Sequence, residues 1–202
     1  MFESIYEFES ALAKYTGAPY VVATDCCTHA IELCFRVNRP TDIVAFTPNT
    51  YISIPMIFHK LHLKYAYLPS LSGEQWVGEY KFHNTNVWDS ARMLKPNMYR
   101  KSQMQCLSFG HDKPLAIGRG GAILLDNYDD YFALKRMTYD GRDLEISPWS
   151  AQDYFQVGYH YKMTIEEAIT GLEMLSTFEG KSQKRLYPDL HKIQIRDFNE
   201  PV

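Results

Sequence analysis

Four short stretches of the sequence carry side chains able to do chemistry, and each follows a run of apolar residues. Cys27 and Thr28 come after residues 20–24, at the start of a helical pattern, where backbone N–H groups and a hydroxyl make an anion site. Thr is equally an ordinary helix-start residue. Ser108 closes the apolar run near 104–109 and supplies a second hydroxyl, which suits a phosphate better than one does. Tyr51 follows a strand and a Pro-Asn turn, where its ring either covers a flat ligand or packs in the core. Asp89 ends a stretch in which a lone carboxylate is costly to bury, so it either caps the following turn or meets a cation. Lys113 stands five residues beyond Ser108, on a loop stiffened by Pro114, as a solvated turn residue or as an amine held for reaction.

Period and punctuation indicate the elements that hold these residues. Residues 2–15 have helical apolar spacing and stop at Gly17 and Pro19. Residues 20–24 read as a buried strand and about 28–37 as a helix, with Asp25 as its cap. A strand at 42–46, a helix at 53–63 with Pro55 in its first turn, and a strand at 64–69 follow. This alternation predicts a largely parallel sheet covered by helices on both faces. Segment 70–85, with Gly73 and Gly78, reads as loop or hairpin. Strands at 85–89, 104–109 and 120–126 bring the total to about six, and helices are expected at about 128–139 and 164–180. The expected fold class is therefore α/β, a three-layer α/β/α arrangement. Residues 1–180 form one domain and residues 181–202 a loosely held tail. In open sheets of this kind ligands sit at the carboxyl ends of the strands, where all four stretches fall.

Composition narrows the function classes. The 202 residues suit one domain, and 46% hydrophobic with 22% charged residues is an ordinary globular balance. A net charge of −3 without a basic block gives no electrostatic support for nucleic-acid binding. No apolar run approaches the roughly 20 residues that span a bilayer. The acidic, amphipathic N-terminus is unlike a signal peptide, so cytoplasmic residence is expected. Cys26, Cys27, Cys34 and Cys106 form no CxxC pair and read as reduced thiols, with no zinc-ligand spacing and no metal site expected. The 15 tyrosines suit pockets and subunit contacts.

An anion cradle, an aromatic cover, a strand-end carboxylate and a loop lysine on one rim are the parts that pyridoxal phosphate needs. The same residues resemble the DegT/DnrJ/EryC1/StrS sugar aminotransferases, of aspartate-aminotransferase-like fold, over about residues 7–176. EFESALAKYTGAPYVVATDCCTHAIEL resembles the family's opening block, with Thr28 at the phosphate and Cys27 where a small residue is usual. TYISIPMIF places Tyr51 at the aromatic that stacks on the cofactor ring. VWDSAR places Asp89 at the carboxylate facing the pyridine nitrogen and Arg92 where Gln is usual. SFGHDKPLAIGRGGAILL aligns without a gap and places Ser108 on the phosphate and Lys113 at the Schiff-base lysine. GYHYKMTIEEAITGLEML places Lys162 in a segment that reaches the neighbouring subunit's cofactor, with His160 and Lys162 where Asn and Arg are usual.

The resemblance implies the large domain of a fold-type-I enzyme. The small C-terminal domain is largely missing, and one strand–helix unit before VWD is compressed. It implies a homodimer with shared sites that moves an amino group from an amino-acid donor to a nucleotide-linked keto-sugar. Lys113 would be general base and acid, and Asp89 would keep the ring nitrogen protonated. The family's dehydratase branch has His at the position of Lys113, which favours transamination over a pyridoxal-phosphate-dependent dehydratase. The rival class is a non-catalytic homologue acting as a binding or assembly subunit. Arg92 and Arg119 would meet a sugar diphosphate, a donor carboxylate or nearby acidic side chains.

Overall fold

The computed structural model describes residues 2–69 and 76–196. Residues 70–75, part of the expected loop or hairpin, and 197–202, the end of the expected tail, lie outside the described residues. The first half alternates as expected: α1 (Glu3–Thr16), β1 (Tyr20–Thr24), α2 (Cys27–Asn38), β2 (Val44–Phe46), α3 (Ser53–Leu61) and β3 (Tyr65–Tyr67). Six strands follow: β4 (Trp76–Val77), β5 (Tyr80–Lys81), β6 (Val87–Asp89), β7 (Met93–Leu94), β8 (Met104–Ser108) and β9 (Gly121–Leu125). Helices α4 (Tyr128–Met137) and α5 (Ile165–Leu175) and strands β10 (Lys181–Ser182) and β11 (Lys184–Arg185) complete the order.

The central sheet runs β1-β9-β8-β6-β5, and β2 pairs with β3 beside it. Strands β6 and β8 are parallel, as are β2 and β3, while β9 is antiparallel to both β1 and β8. Strand β5 is antiparallel to β6, and the bridge from His83 to Ala45 carries this reversed segment across to β2. Strands β1, β2, β3, β6 and β8 thus share one direction, and β5 and β9 oppose it. The exceptions have a local cause. A parallel return needs a crossover, usually helical, and neither residues 82–86 nor residues 109–120 contain a helix. Within the expected loop or hairpin at 70–85, the described residues make this turn into β6. It is tightened by Phe82 N–H donating to the Val87 carbonyl at 3.0 Å and Thr85 Oγ1 donating to the Phe82 carbonyl at 2.7 Å.

Period-two alternation divides the sheet's side chains between two cores. On one face Ile5, Phe8 and Leu12 of α1 and Ala168 and Leu175 of α5 pack on Val21, Leu107, Ala122 and Leu124. On the other, Ile31, Cys34 and Phe35 of α2 and Phe58 of α3 cover Val22, Cys106, Ile123 and Leu125. The three layers expected from the alternation are therefore present. Thr164 starts α5 with a capping box, accepting from Glu167 N–H while the Glu167 carboxylate accepts from Thr164 N–H. No helix among the described residues is long and apolar enough to cross a membrane.

Two local expectations change. Asp25 does not cap α2. Cys26 is the N-cap without a side-chain bond, and Asp25 bonds His29 and Arg119 instead. The segment 181–193 is held rather than loose: β10 pairs with β7, β11 pairs with β4, and Leu190 N–H donates to the Pro48 carbonyl at 3.0 Å. Its basic residues suggested solvation, but pairing its backbone with two otherwise unpartnered short strands satisfies polar groups on both sides.

Phe82 is fully buried where β5 joins β2, with its ring 5.2 Å from Phe35 and 5.6 Å from Phe46. Phe82→Ala should cost about 3–5 kcal/mol in urea unfolding, as for other large aromatic deletions in a core. A loss below about 1 kcal/mol would show that the reversed strand is not packed as described.

Candidate active site

Seven of the eight candidate residues line one cavity of about 280 Å³ at the carboxyl edge of the sheet: Cys27, Thr28, Tyr51, Asp89, Arg92, Ser108 and Lys113. The size is near the lower end of the roughly 300–1,000 Å³ usual for ligand clefts. Thr28 lies in the first turn of α2, and its hydroxyl shares a 3.0 Å hydrogen bond with Ser53, in the first turn of α3. Two helix starts therefore present hydroxyls and N–H groups to the same space. Gly121 permits this closeness, because a Cβ there would lie 2.6 Å from the backbone of Cys26 and Cys27. Tyr51 is 57% exposed at the mouth, available to cover a ligand rather than packed in the core.

Lys113 is held by its loop. Its N–H donates to the Gly110 carbonyl at 3.0 Å, and the loop base is tied by Phe109 N–H to Gly120 and by Gly118 N–H to Phe109. Arg92, only 4% exposed, clamps the neighbouring residue. It pairs with the Asp112 carboxylate and donates to the Asp112 carbonyl at 3.1 Å, to Gln183 Oε1 at 3.0 Å and to Tyr187 Oη at 3.2 Å. Although burial disfavours its charge, these partners raise the guanidinium's already high pKa, and the same contact holds Asp112 below the usual carboxylate range against burial. Arg92 thus spends its donors on positioning the Lys113 loop and the C-terminal segment.

Asp89 is the buried charge at the cavity floor. Its Oδ1 accepts from Ala91 N–H at 2.9 Å, and the Tyr80 phenol, which shares a 2.8 Å hydrogen bond with Thr50, favours the ionised form of the same carboxyl. The turn-capping and cation-meeting alternatives both apply in part, since Lys113 and Arg92 also act on it. Burial pushes the Asp89 carboxyl above its usual range, and the Ala91 N–H, Lys113, Tyr80 and Arg92 pull it back only partly. The carboxylate remains under-compensated, and a protonated ring nitrogen is the kind of group that would complete it. The residues present therefore fit pyridoxal phosphate: hydroxyls and N–H groups for its phosphate, an aromatic for its face, a carboxylate for its nitrogen and an amine for its carbonyl carbon.

Lys162 is placed elsewhere. Its Nζ lies inside its own chain, 3.1 Å from the centre of the Phe2 ring and 5.0 Å from that of Tyr139, with no hydrogen-bond partner. Burial, with Lys135 and Arg142 nearby, brings its pKa down to about 7. An apolar, ring-lined recess attracts the long aliphatic stem. Arg119 takes the ion-pair alternative, 3.0 Å from Asp25. Asp25, Cys26 and His29 bring ligand-type atoms within 4.8 Å of one another. Burial pulls the His29 imidazole down, but hydrogen bonds to Asp25 and Cys26 outweigh it and push it up to about 9. Asp25, His29 and Arg119 thus form an ion-pair network at the start of α2.

Sequence reasoning missed Ser53, Thr50, Tyr80, Asp112, Arg185 and Tyr187, all at the same cavity or bonded to its floor. Ser53 had a signal, since it opens a helix right after Tyr51. Arg185 and Tyr187 had none, because they arrive through long-range pairing. A larger cavity of about 670 Å³ lies between α1 and α4, lined by Tyr20, Tyr131 and the Glu9–Lys135 pair, and shares no residue with this one. Size favours that cavity. Chemistry favours the smaller one, which holds the under-compensated carboxylate beside a lysine.

The family model for the DegT/DnrJ/EryC1/StrS aminotransferases matches residues 1–63 and 98–194. No curated protein matches the sequence. Among solved structures, AtS13 from Actinomadura melliaura superposes with a TM-score of 0.72 at 20% identity, covering 87% of this chain and 60% of its own. The sugar aminotransferase CalS13 from Micromonospora echinospora gives 0.68 at 15% identity, with 87% and 60% covered. DesI, solved in the presence of its TDP-sugar product, gives 0.66 at 18% identity, with 87% and 53% covered. These likenesses establish the fold, and the chain spans about 60% or less of each neighbour's length.

Asp89→Asn keeps an oxygen for the Ala91 N–H while removing the charge. A carboxyl raised in the folded state lowers stability only where it is ionised. The penalty is absent below the unfolded pKa near 3.8 and grows as pH rises through the folded value. In urea unfolding without ligand, the variant should exceed the parent by about 1–3 kcal/mol near neutral pH, and the gap should close in acid. A variant less stable at neutral pH would make Asp89 a structural cap.

Proposed function

The chain belongs to the DegT/DnrJ/EryC1/StrS aminotransferase family, and from that premise we propose that it is a pyridoxal-phosphate-dependent aminotransferase whose acceptor is a nucleotide-linked keto-sugar. The observation that carries the reading is the convergence of buried Asp89, Lys113 and the Thr28, Ser53 and Ser108 hydroxyls on one cavity. When bound, the cofactor supplies an electron-withdrawing ring conjugated to the carbon that exchanges the amino group. Every other part of the reaction falls to this chain's side chains.

In this reading Thr28, Ser53, Ser108 and the N–H groups opening α2 hold the phosphate. Asp89 keeps a proton on the ring nitrogen, which relieves its own uncompensated burial. Tyr51 lies over the ring and excludes water from one face. Lys113 Nζ would hold the cofactor's carbonyl carbon and, when free, would take and return a proton at the reacting carbon. Arg92 keeps the Lys113 loop in place without touching the reacting atoms. The TDP-sugar product named for DesI supports the sugar acceptor, as does CalS13, named a sugar aminotransferase.

A homodimer in the cytoplasm belongs to the same reading. Trp149, Tyr154 and Val157 stand 58%, 62% and 78% exposed along one segment, apolar surface of the kind that marks a subunit contact. Four free cysteines suit a reducing compartment and support the cytoplasmic part of this reading.

Borohydride reduction with cofactor present, followed by peptide mapping, should find the phosphopyridoxyl group on Lys113. Lys113→Ala should lower amino transfer at least about a hundredfold. A label on another lysine, or none at saturating cofactor, would refute the reading. Cofactor on Lys113 without transfer to any keto-sugar would leave a binding subunit.

A further inference from the structure

Five charged side chains line the candidate active site: Asp89, Arg92, Asp112, Lys113 and Arg185. Four have tasks already. Asp89 is the floor carboxylate and Lys113 the reactive amine, while Arg92 and Asp112 are bound to each other behind the Lys113 loop. Arg185 differs. Its side chain is 54% exposed, its one ion-pair partner among the described residues is Asp112 Oδ2 at 4.0 Å, and that carboxylate is held more closely by Arg92. Its guanidinium also lies 5.9 Å from the Tyr187 ring, a loose contact.

The backbone that carries Arg185 is anchored. Lys184 and Arg185 pair with Val77 and Trp76 in an antiparallel ladder, and Gln183 N–H donates to the Arg92 carbonyl at 2.9 Å. On the far side, the Tyr187 carbonyl accepts from Asn49 Nδ2 at 3.2 Å. A cation with little committed bonding, carried on fixed backbone and facing a cavity, is pre-organised for an anion. The ordering cost on binding falls only on the side chain.

We propose that Arg185 is a specificity residue of this site, taking the α-carboxylate of the amino-acid donor. The inference rests on the cofactor reading above. Position selects this anion over the others available. The cofactor phosphate has its own donors at Thr28, Ser53 and Ser108. Arg185 borders Asp112, the residue next to Lys113, whose amine the donor's nitrogen replaces. An α-carboxylate is attached to the carbon that bears this nitrogen, so its counter-cation must sit close to Lys113. A nucleotide diphosphate lies many bonds further from the reacting carbon. The planar guanidinium also matches a carboxylate in two parallel hydrogen bonds.

The test uses two stable, non-reacting probes with the cofactor-free protein: N-phosphopyridoxyl-L-alanine and N-phosphopyridoxyl-ethylamine, which differ only in the carboxylate. Calorimetry should show the parent preferring the alanine adduct on the order of ten- to a hundredfold, the range of a charge-assisted bond. Arg185→Gln should abolish the preference and leave affinity for the ethylamine adduct unchanged, and Arg185→Lys should restore part of it. The inference is overturned if the parent shows no preference or if Arg185→Gln keeps it. If neither adduct binds the parent, the cofactor reading itself fails and this inference falls with it.

Discussion

The site is built around one expensive feature, an ionisable carboxyl group buried at the end of a central strand. Asp89 is 4% exposed, and water is replaced around it by one backbone N–H, one phenol and two nearby cations. These do not fully compensate it, since its carboxyl stays above its usual range. A fold that keeps such a group loses stability in the ligand-free state and gains affinity for a partner that supplies the missing positive charge.

Placing the compensating groups constrains the rest of the chain. Lys113 must come from a loop between β8 and β9, and that helix-free loop is why β9 returns antiparallel. Tyr80 must come from β5, which enters the sheet reversed and brings its phenol to Asp89. Arg92, immediately before β7, joins the Lys113 loop to Gln183 and Tyr187. Strand reversal, loop position and C-terminal segment are thus tied to a single polar cluster.

Much of this was legible in the sequence, for physical reasons. The six runs at 20–24, 42–46, 64–69, 85–89, 104–109 and 120–126 each became a strand, and those at 20–24, 104–109 and 120–126 are buried along nearly their whole length, as expected of strands covered on both faces. The rule that ligands gather at strand ends brought Thr28, Tyr51, Asp89, Ser108 and Lys113 to one cavity. Strand direction was not legible, since apolar runs carry no sign. Nor was the role of residues 181–187, whose basic character suggested solvent and whose order depends on pairing with β4 and β7. The direction of the Lys162 side chain was not legible either, because a motif position does not record which way a long side chain turns, and here three aromatic rings draw it inward.

The central claim is that Asp89 exists to hold a proton on a bound pyridine ring. It is tested most directly by nitrogen NMR of the protein loaded with pyridoxal phosphate labelled at the ring nitrogen. The account predicts a protonated pyridinium signal at neutral pH, replaced by a neutral pyridine signal in Asp89→Asn. A neutral pyridine signal in the parent, or a signal that Asp89→Asn leaves unchanged, would contradict it.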